Sequence, residues 1–157
     1  MPMISIPSRF FVTSGKATSD ISEMNAFDEA LVNADIAEAN LVPVSSVLPR
    51  NIKEVKKQPI ERGTITFCVL SRMEGVGGEV ISAGLAYARR KDGSGGYVAE
   101  GHLHGKAELL RIELESRSKQ MAAHRGIVID EVKSCAEELH IPQGKYGSCV
   151  VALIFLF

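Results

Sequence analysis

Ser45 and Ser46 stand side by side in Asn40-Leu41-Val42-Pro43-Val44-Ser45-Ser46-Val47-Leu48-Pro49, a run that is otherwise apolar and strand-like. A buried hydroxyl without a partner costs roughly 1–3 kcal/mol, so a buried pair asks for a chemical reason. Self-processing is one. The Ser46 hydroxyl can attack the Ser45 carbonyl to form an ester, and elimination from that ester leaves a ketone-bearing pyruvoyl group at position 46. Taken alone, the pair also fits a turn or strand end with satisfied hydroxyls, because the chain is rich in serine.

Glu100, His102 and His104 are the next residues with chemical potential. Residues two apart share one face of a strand, so they form a Glu-x-His-x-His face. Two imidazoles and a carboxylate can bind a metal, but no motif places His124 or His140 beside them. Histidines turned to solvent or substrate are the alternative. Glu74-Gly75-Val76-Gly77-Gly78-Glu79 is glycine-rich, yet it lacks the lysine of a P-loop and the order of a dinucleotide site. It reads as a tight turn or bulge. Cys68, Cys135 and Cys149 form no Cys-x-x-Cys, which leaves them as small buried hydrophobes of a reducing cytosol.

The elements that must position these groups follow from periodicity. Phe10 to Thr13 reads as a short strand ended by a polar turn at Ser14-Gly15-Lys16. Met24, Phe27, Ala30-Leu31 and Ala34 recur at helical spacing from about Asn25. Asp28 then lies in the first half of that helix, where the dipole favours a carboxylate. Asn40 to Leu48 reads as one strand closed by Pro49, with Pro43 marking an unpaired side or a bulge. Arg50 to Arg62 is charged and reads as an exposed loop. Thr64 to Leu70 and Val80 to Ala88 read as strands, and Lys91 to Gly96 as a hairpin turn leading into a strand from Tyr97 to His104. Lys106 to Ala123 is an amphipathic helix. Ile127 to Ala136 and Gly147 to Phe157 close the chain as strands around Pro142-Gln143-Gly144. The expected fold is α+β, with antiparallel sheets covered by two helices in a layered αββα-type sandwich.

At 157 residues with 45% hydrophobic content, the chain suits one domain with a real core. A net charge of −1 and the lack of tryptophan argue against nucleic-acid binding. Met1-Pro2-Met3-Ile4-Ser5-Ile6 lacks the features of a signal peptide. The longest apolar run, Cys149 to Phe157, has nine residues and cannot span a bilayer. A soluble, cytoplasmic protein is expected.

Asn25-Ala26-Phe27-Asp28, Ala30-Leu31, Asn33-Ala34, Asn40-Leu41, Ser45-Ser46 and Pro49 occur in an order that resembles the pyruvoyl-dependent arginine decarboxylases. Gly78-Glu79-Val80-Ile81-Ser82-Ala83 and Glu100 fall in that family's order too, so the resemblance spans roughly Phe10 to the C-terminus. It implies one domain over 1–157, self-cleaved into a β chain, 1–45, and an α chain, 46–157. Ser45 would be the cleavage site and Ser46 the precursor of a covalent pyruvoyl group. The pyruvoyl ketone would condense with the arginine amine to a Schiff base and accept the electrons released on decarboxylation to agmatine.

Glu100 resembles the family's proton donor, a role that needs a raised pKa and an apolar, closed site. Asn40 resembles its pocket asparagine, and Asp28 the carboxylate that meets the substrate guanidinium. Met24, where the family usually has leucine, and Leu31 would complete the substrate pocket. The resemblance also implies a homotrimer, or two trimers paired into a hexamer, with active sites between protomers. No metal, nucleic acid or membrane is expected. The residues leave other readings open: a pyruvoyl decarboxylase for another amino acid, an unprocessed binding or regulatory protein, and the metal site above. Asp28 as a surface charge and Asn40 as a strand-start cap are the structural alternatives.

Overall fold

The computed structural model describes residues 5–157. Met1-Pro2-Met3-Ile4, most of the segment weighed as a leader, lie outside the described residues. The elements run β1 (Arg9–Ser19), α1 (Glu23–Asn33), β2 (Asn40–Pro43), β3 (Val47–Leu48), β4 (Lys53–Glu54) and β5 (Ile65–Val76). They continue as β6 (Val80–Arg89), β7 (Gly96–Leu103), α2 (Ala107–His124), β8 (Lys133–His140) and β9 (Tyr146–Leu156). Five strands in the order β2-β5-β9-β1-β4 make one sheet, and four in the order β3-β7-β6-β8 make the other. The second sheet is antiparallel throughout. In the first, only the short edge strands β2 and β4 run parallel to their neighbours.

Alternation along the central strands builds the layers. Phe10, Val69, Leu85, Val98, Val151 and Leu153 meet between the sheets. Phe11, Val150, Ala152 and Ile154 turn the other way and meet Ala30, Ala34 and Ile36 at α1. Ala86 and Ala99 receive Leu110 and Leu114 of α2. The order is helix, sheet, sheet, helix, the expected α+β sandwich.

Five local expectations change. The polar turn at Ser14-Gly15-Lys16 is strand, because β1 continues through it in register with β9 as far as Ser19 opposite Tyr146. Gly15 serves close packing instead: a Cβ there would collide with the Ala30 carbonyl of α1. Helix α1 starts earlier, at Glu23, where the Ser22 hydroxyl caps the Asn25 N–H at 3.0 Å. The strand expected over Asn40–Leu48 is two short strands in different sheets. The 50–62 segment is not all exposed loop, since Ile52 is buried and Lys53–Glu54 pair with β1. The strand expected from Ile127 begins only at Lys133.

Candidate active site

The serine pair lies where the chain changes sheets. β2 is an edge strand of the five-stranded sheet, in keeping with Pro43, which cannot donate to a ladder. The Val44 N–H still donates to Cys68 of β5, at 2.8 Å. Two residues on, the Ser46 carbonyl accepts from Val98 of β7 in the other sheet, at 2.9 Å. The Ser45–Ser46 peptide therefore spans the open side of the sandwich, held by one sheet on each side. The serines are not buried as the apolar run implied: Ser45 is exposed and Ser46 half-buried. Breaking the strand at the crossing takes them out of the core.

Beyond the crossing, neither β2 nor β3 continues, and the flanks of β5 and β7 are uncovered. A cavity of about 430 Å³ opens there, lined by Ser45, Ser46, Val69, Leu70, Val98 and Glu100, with Arg117 and Met121 overhanging from α2. Glu100 follows Val98 by two residues, so both side chains share one face of β7. Val98 faces the space between the sheets. Glu100 thus lies at the mouth of that space, on the strand that holds Ser46. Glu100 is exposed, so the closed, apolar setting expected for a proton donor is not present in the single chain.

Arg117 was not singled out by the sequence. Its guanidinium donates to the Glu100 main-chain carbonyl at 3.1 Å and to Glu113 at 2.9 Å. The signal was present but quiet: Leu110, Leu114, Arg117 and Met121 fall at helical steps on one face. Leu110 and Leu114 are buried on the sheet, and the same face then carries Arg117 and Met121 past its edge. Ser71 was missed as well. Fully buried on β5, its hydroxyl donates to the Gly101 carbonyl at 2.5 Å and accepts from the Gly84 N–H at 3.2 Å.

The remaining expected site residues lie elsewhere in the single chain. Met24, Asp28 and Leu31 fall at helical steps on α1, across the five-stranded sheet from the inter-sheet core. Met24 is 78% exposed, Asp28 is exposed and Leu31 half-buried. Asp28 is the sixth of eleven helical residues, too far from the N-terminus for the expected dipole effect. Beside it Phe27 lies under the Arg72 guanidinium, 3.4 Å from the ring centre. Asn40 is exposed at the start of β2, and its amide donates to the Gly63 carbonyl at 2.9 Å. None of these four lines the cavity at Ser46.

Glu100, His102 and His104 are not brought together as a ligand set. His104 pairs with Glu79 at 2.9 Å, and among the described residues no group of three or more His, Cys, Asp or Glu can hold a metal ion. The cysteines are free. Burial pushes the Cys68 thiol up to about 11 and the Cys149 thiol up to about 12, which makes both poor nucleophiles.

A four-layer αββα sandwich with a Ser-Ser peptide at its sheet crossing, and a carboxylate two residues along the strand that holds it, defines the structural class. The model of the family Pyruvoyl-dependent arginine decarboxylase matches residues 9–157. A pyruvoyl-dependent arginine decarboxylase of Methanothermobacter thermautotrophicus is 38% identical over 146 residues, which cover 92% of this chain and 94% of the relative. One from Methanopyrus kandleri is 29% identical over 150 residues, covering 96% and 97%. This chain belongs to the pyruvoyl-dependent arginine decarboxylase family.

Proposed function

We propose that Ser46 is the precursor of the pyruvoyl group on which this family depends, and that the mature protein decarboxylates L-arginine to agmatine and carbon dioxide. The observation that carries this reading is the Ser45–Ser46 peptide, suspended between the two sheets on a cavity it shares with Glu100. Anchoring at Val44 and at the Ser46 carbonyl limits the motion of the bond to be cut. The half-exposed Ser46 hydroxyl attacks the Ser45 carbonyl, and the resulting ester eliminates. Water then hydrolyses the resulting dehydroalanine at residue 46, supplying the ketone oxygen and releasing the nitrogen as ammonia, which leaves chains 1–45 and 46–157. The crossing accommodates the group, because residue 46 opens on the cavity and its carbonyl stays tied to β7.

Once formed, the pyruvoyl group supplies a ketone that binds the substrate amine and takes up the electrons of the broken carbon–carbon bond. Glu100 returns a proton to the α-carbon. Val69, Leu70, Val98 and Met121 form an apolar wall that excludes water as carbon dioxide departs.

The guanidinium is held by Asp28 of a neighbouring copy, in a homotrimer that pairs into a hexamer. Two features support sharing. Met24 and Asp28 are exposed on the α1 layer and stand away from their own chain's Ser46 cavity. An apolar strip of Val42, Val44, Val47 and Ile65 is exposed along the crossing edge, where a second protomer would close the cavity and give Glu100 its apolar setting. Asn40, at the start of the same edge strand, belongs to this shared pocket. No helix among the described residues is long and apolar enough to cross a membrane. The free cysteines fit a reducing cytoplasm.

Intact mass under denaturing conditions tests the reading. Two fragments are expected, the larger lighter by one ammonia than the simple hydrolysis product, and Ser46→Ala should remain uncut and inactive. A wild-type chain that stays whole while decarboxylating arginine would overturn it, and an amino-acid panel in which another substrate is preferred would reassign the pocket.

A further inference from the structure

We infer that Arg117, with Ser71 behind it, is a positioning residue that fixes Glu100 at its distance from residue 46. This rests on the assignment of Glu100 as proton donor and adds the device that holds it. In an antiparallel strand, residues two apart offer their backbone groups to the same side. On the free side of β7, Val98 donates to the Ser46 carbonyl, and the next group on that side, the Glu100 carbonyl, receives Arg117. Two residues of strand span about 7 Å. One short stretch of β7 therefore sets the separation of residues 46 and 100, provided that it stays straight.

β7 has lost its strand neighbour there, because β3 pairs only with Gly96 and Tyr97. An uncovered edge strand presents unpaired N–H and C=O groups, which other elements must cover or satisfy. Arg117 takes the place of the missing strand, with Glu113 one turn back holding the other arm of its guanidinium at 2.9 Å. On the opposite side of β7, the Ser71 hydroxyl relays between the Gly84 N–H and the Gly101 carbonyl, tying β7 and β6 to the other sheet beside Glu100. Gly101 makes the reach possible. A Cβ on it would stand 3.2 Å from Leu114 and 3.4 Å from Leu110, so the glycine lets α2 settle this close, with Arg117 at the edge, without displacing those leucine ends. Met121, one turn further, closes the wall beside it.

A loose β7 would let Glu100 drift from the substrate α-carbon. Misplacement of a reacting group lowers turnover and leaves binding of the remote guanidinium intact. The test compares Arg117→Met, Arg117→Lys, Glu100→Gln and the Glu100→Gln/Arg117→Met double variant, each first checked for cleavage by intact mass. Arg117→Met should cleave fully and keep its KM for arginine within about twofold. Its kcat should fall about tenfold to a hundredfold, the size of a lost hydrogen bond to a charged group. Arg117→Lys should recover part of that loss, and the double variant should be no slower than Glu100→Gln, because there is then no carboxyl to place.

An Arg117→Met enzyme with wild-type kcat beside an inactive Glu100→Gln enzyme would overturn the positioning role and spare the proton-donor reading. Additive losses in the double variant, or a defect confined to KM or to cleavage, would also overturn it. A Glu100→Gln enzyme of wild-type turnover would overturn both readings.

Discussion

The two helices cover equivalent faces of the two sheets, yet they stand in opposite relation to the serine crossing. Helix α1 is seated through small residues, Ala26, Ala30 and Ala34, with Gly15 of β1 against its backbone. It presents Met24 and Asp28 outward, away from its own Ser46 cavity. Helix α2 is seated through Leu110 and Leu114 over Gly101, and carries Arg117 and Met121 to the lip of that cavity. The lesson is a division of labour. The α2 layer reaches the crossing of its own chain, whereas Asp28, the carboxylate proposed for the guanidinium, sits on a layer that does not line that cavity.

The division breaks most clearly at Glu100. Glu100→Gln should cleave normally yet lose about two to four orders of magnitude in kcat, the usual worth of a general acid, as read by carbon dioxide release. Asp28→Asn should cost less, about tenfold to a hundredfold in kcat/KM for arginine, through a lost charge-assisted contact. Its hallmark is weaker discrimination against neutral side chains in a competition assay. Co-expressing the Glu100→Gln and Asp28→Asn chains sharpens the comparison. If each site draws Glu100 from one protomer and Asp28 from the next, random mixing restores roughly a quarter of the sites. Activity no higher than that of the better single variant would return Asp28 to the role of a surface charge.

The packing difference has its own readout in urea melts. Gly15→Ala forces a methyl against the α1 backbone and should destabilise by about 3 kcal/mol, whereas Gly101→Ala meets only movable leucine ends and should cost about 1 kcal/mol. Equal costs would mean that the helices are seated alike. The smallest effect concerns the start of α2, whose Ala107 N–H is capped by Glu138 of β8 at 2.8 Å. That hydrogen bond first, and then the one from His140, hold the Glu138 carboxyl below its ordinary value of 4.5. A carboxylate depressed on folding adds stability above its unfolded value and loses it as pH falls through the folded one. Glu138→Gln should therefore lower the melting point slightly at pH 7, and the two proteins should converge under acid below pH 4.5. A gap that persisted in acid would argue against the capping role.

The candidate site residues were proposed from residue order. The serine pair, the Asn-Ala-Phe-Asp helix and Glu100 are local patterns, and the alternation of apolar residues told strands from helices along most of the chain. Burial of the serines was misjudged, because an apolar run does not reveal where its strand stops pairing. Gly15 suggested a turn because glycine permits turns, but a missing Cβ serves close helix packing equally well, and only the neighbour decides between them. Arg117 did not stand out for a similar reason. One more arginine on a highly charged helix resembles a solvated side chain until the helix is laid over Gly101 and the uncovered edge of β7.

By itself, then, the sequence determined the covalent chemistry available, the four layers and the family, because these depend on side-chain type and local period. Tertiary structure alone decided that Ser46 and Glu100 meet at one edge of β7, that Arg117 and Ser71 hydrogen-bond to the backbone there, and that Asp28 stands away from the Ser46 cavity of its own chain. These are matters of distance between segments remote in the chain. Such distances are set by how closely helices and sheets can pack, which no local pattern encodes.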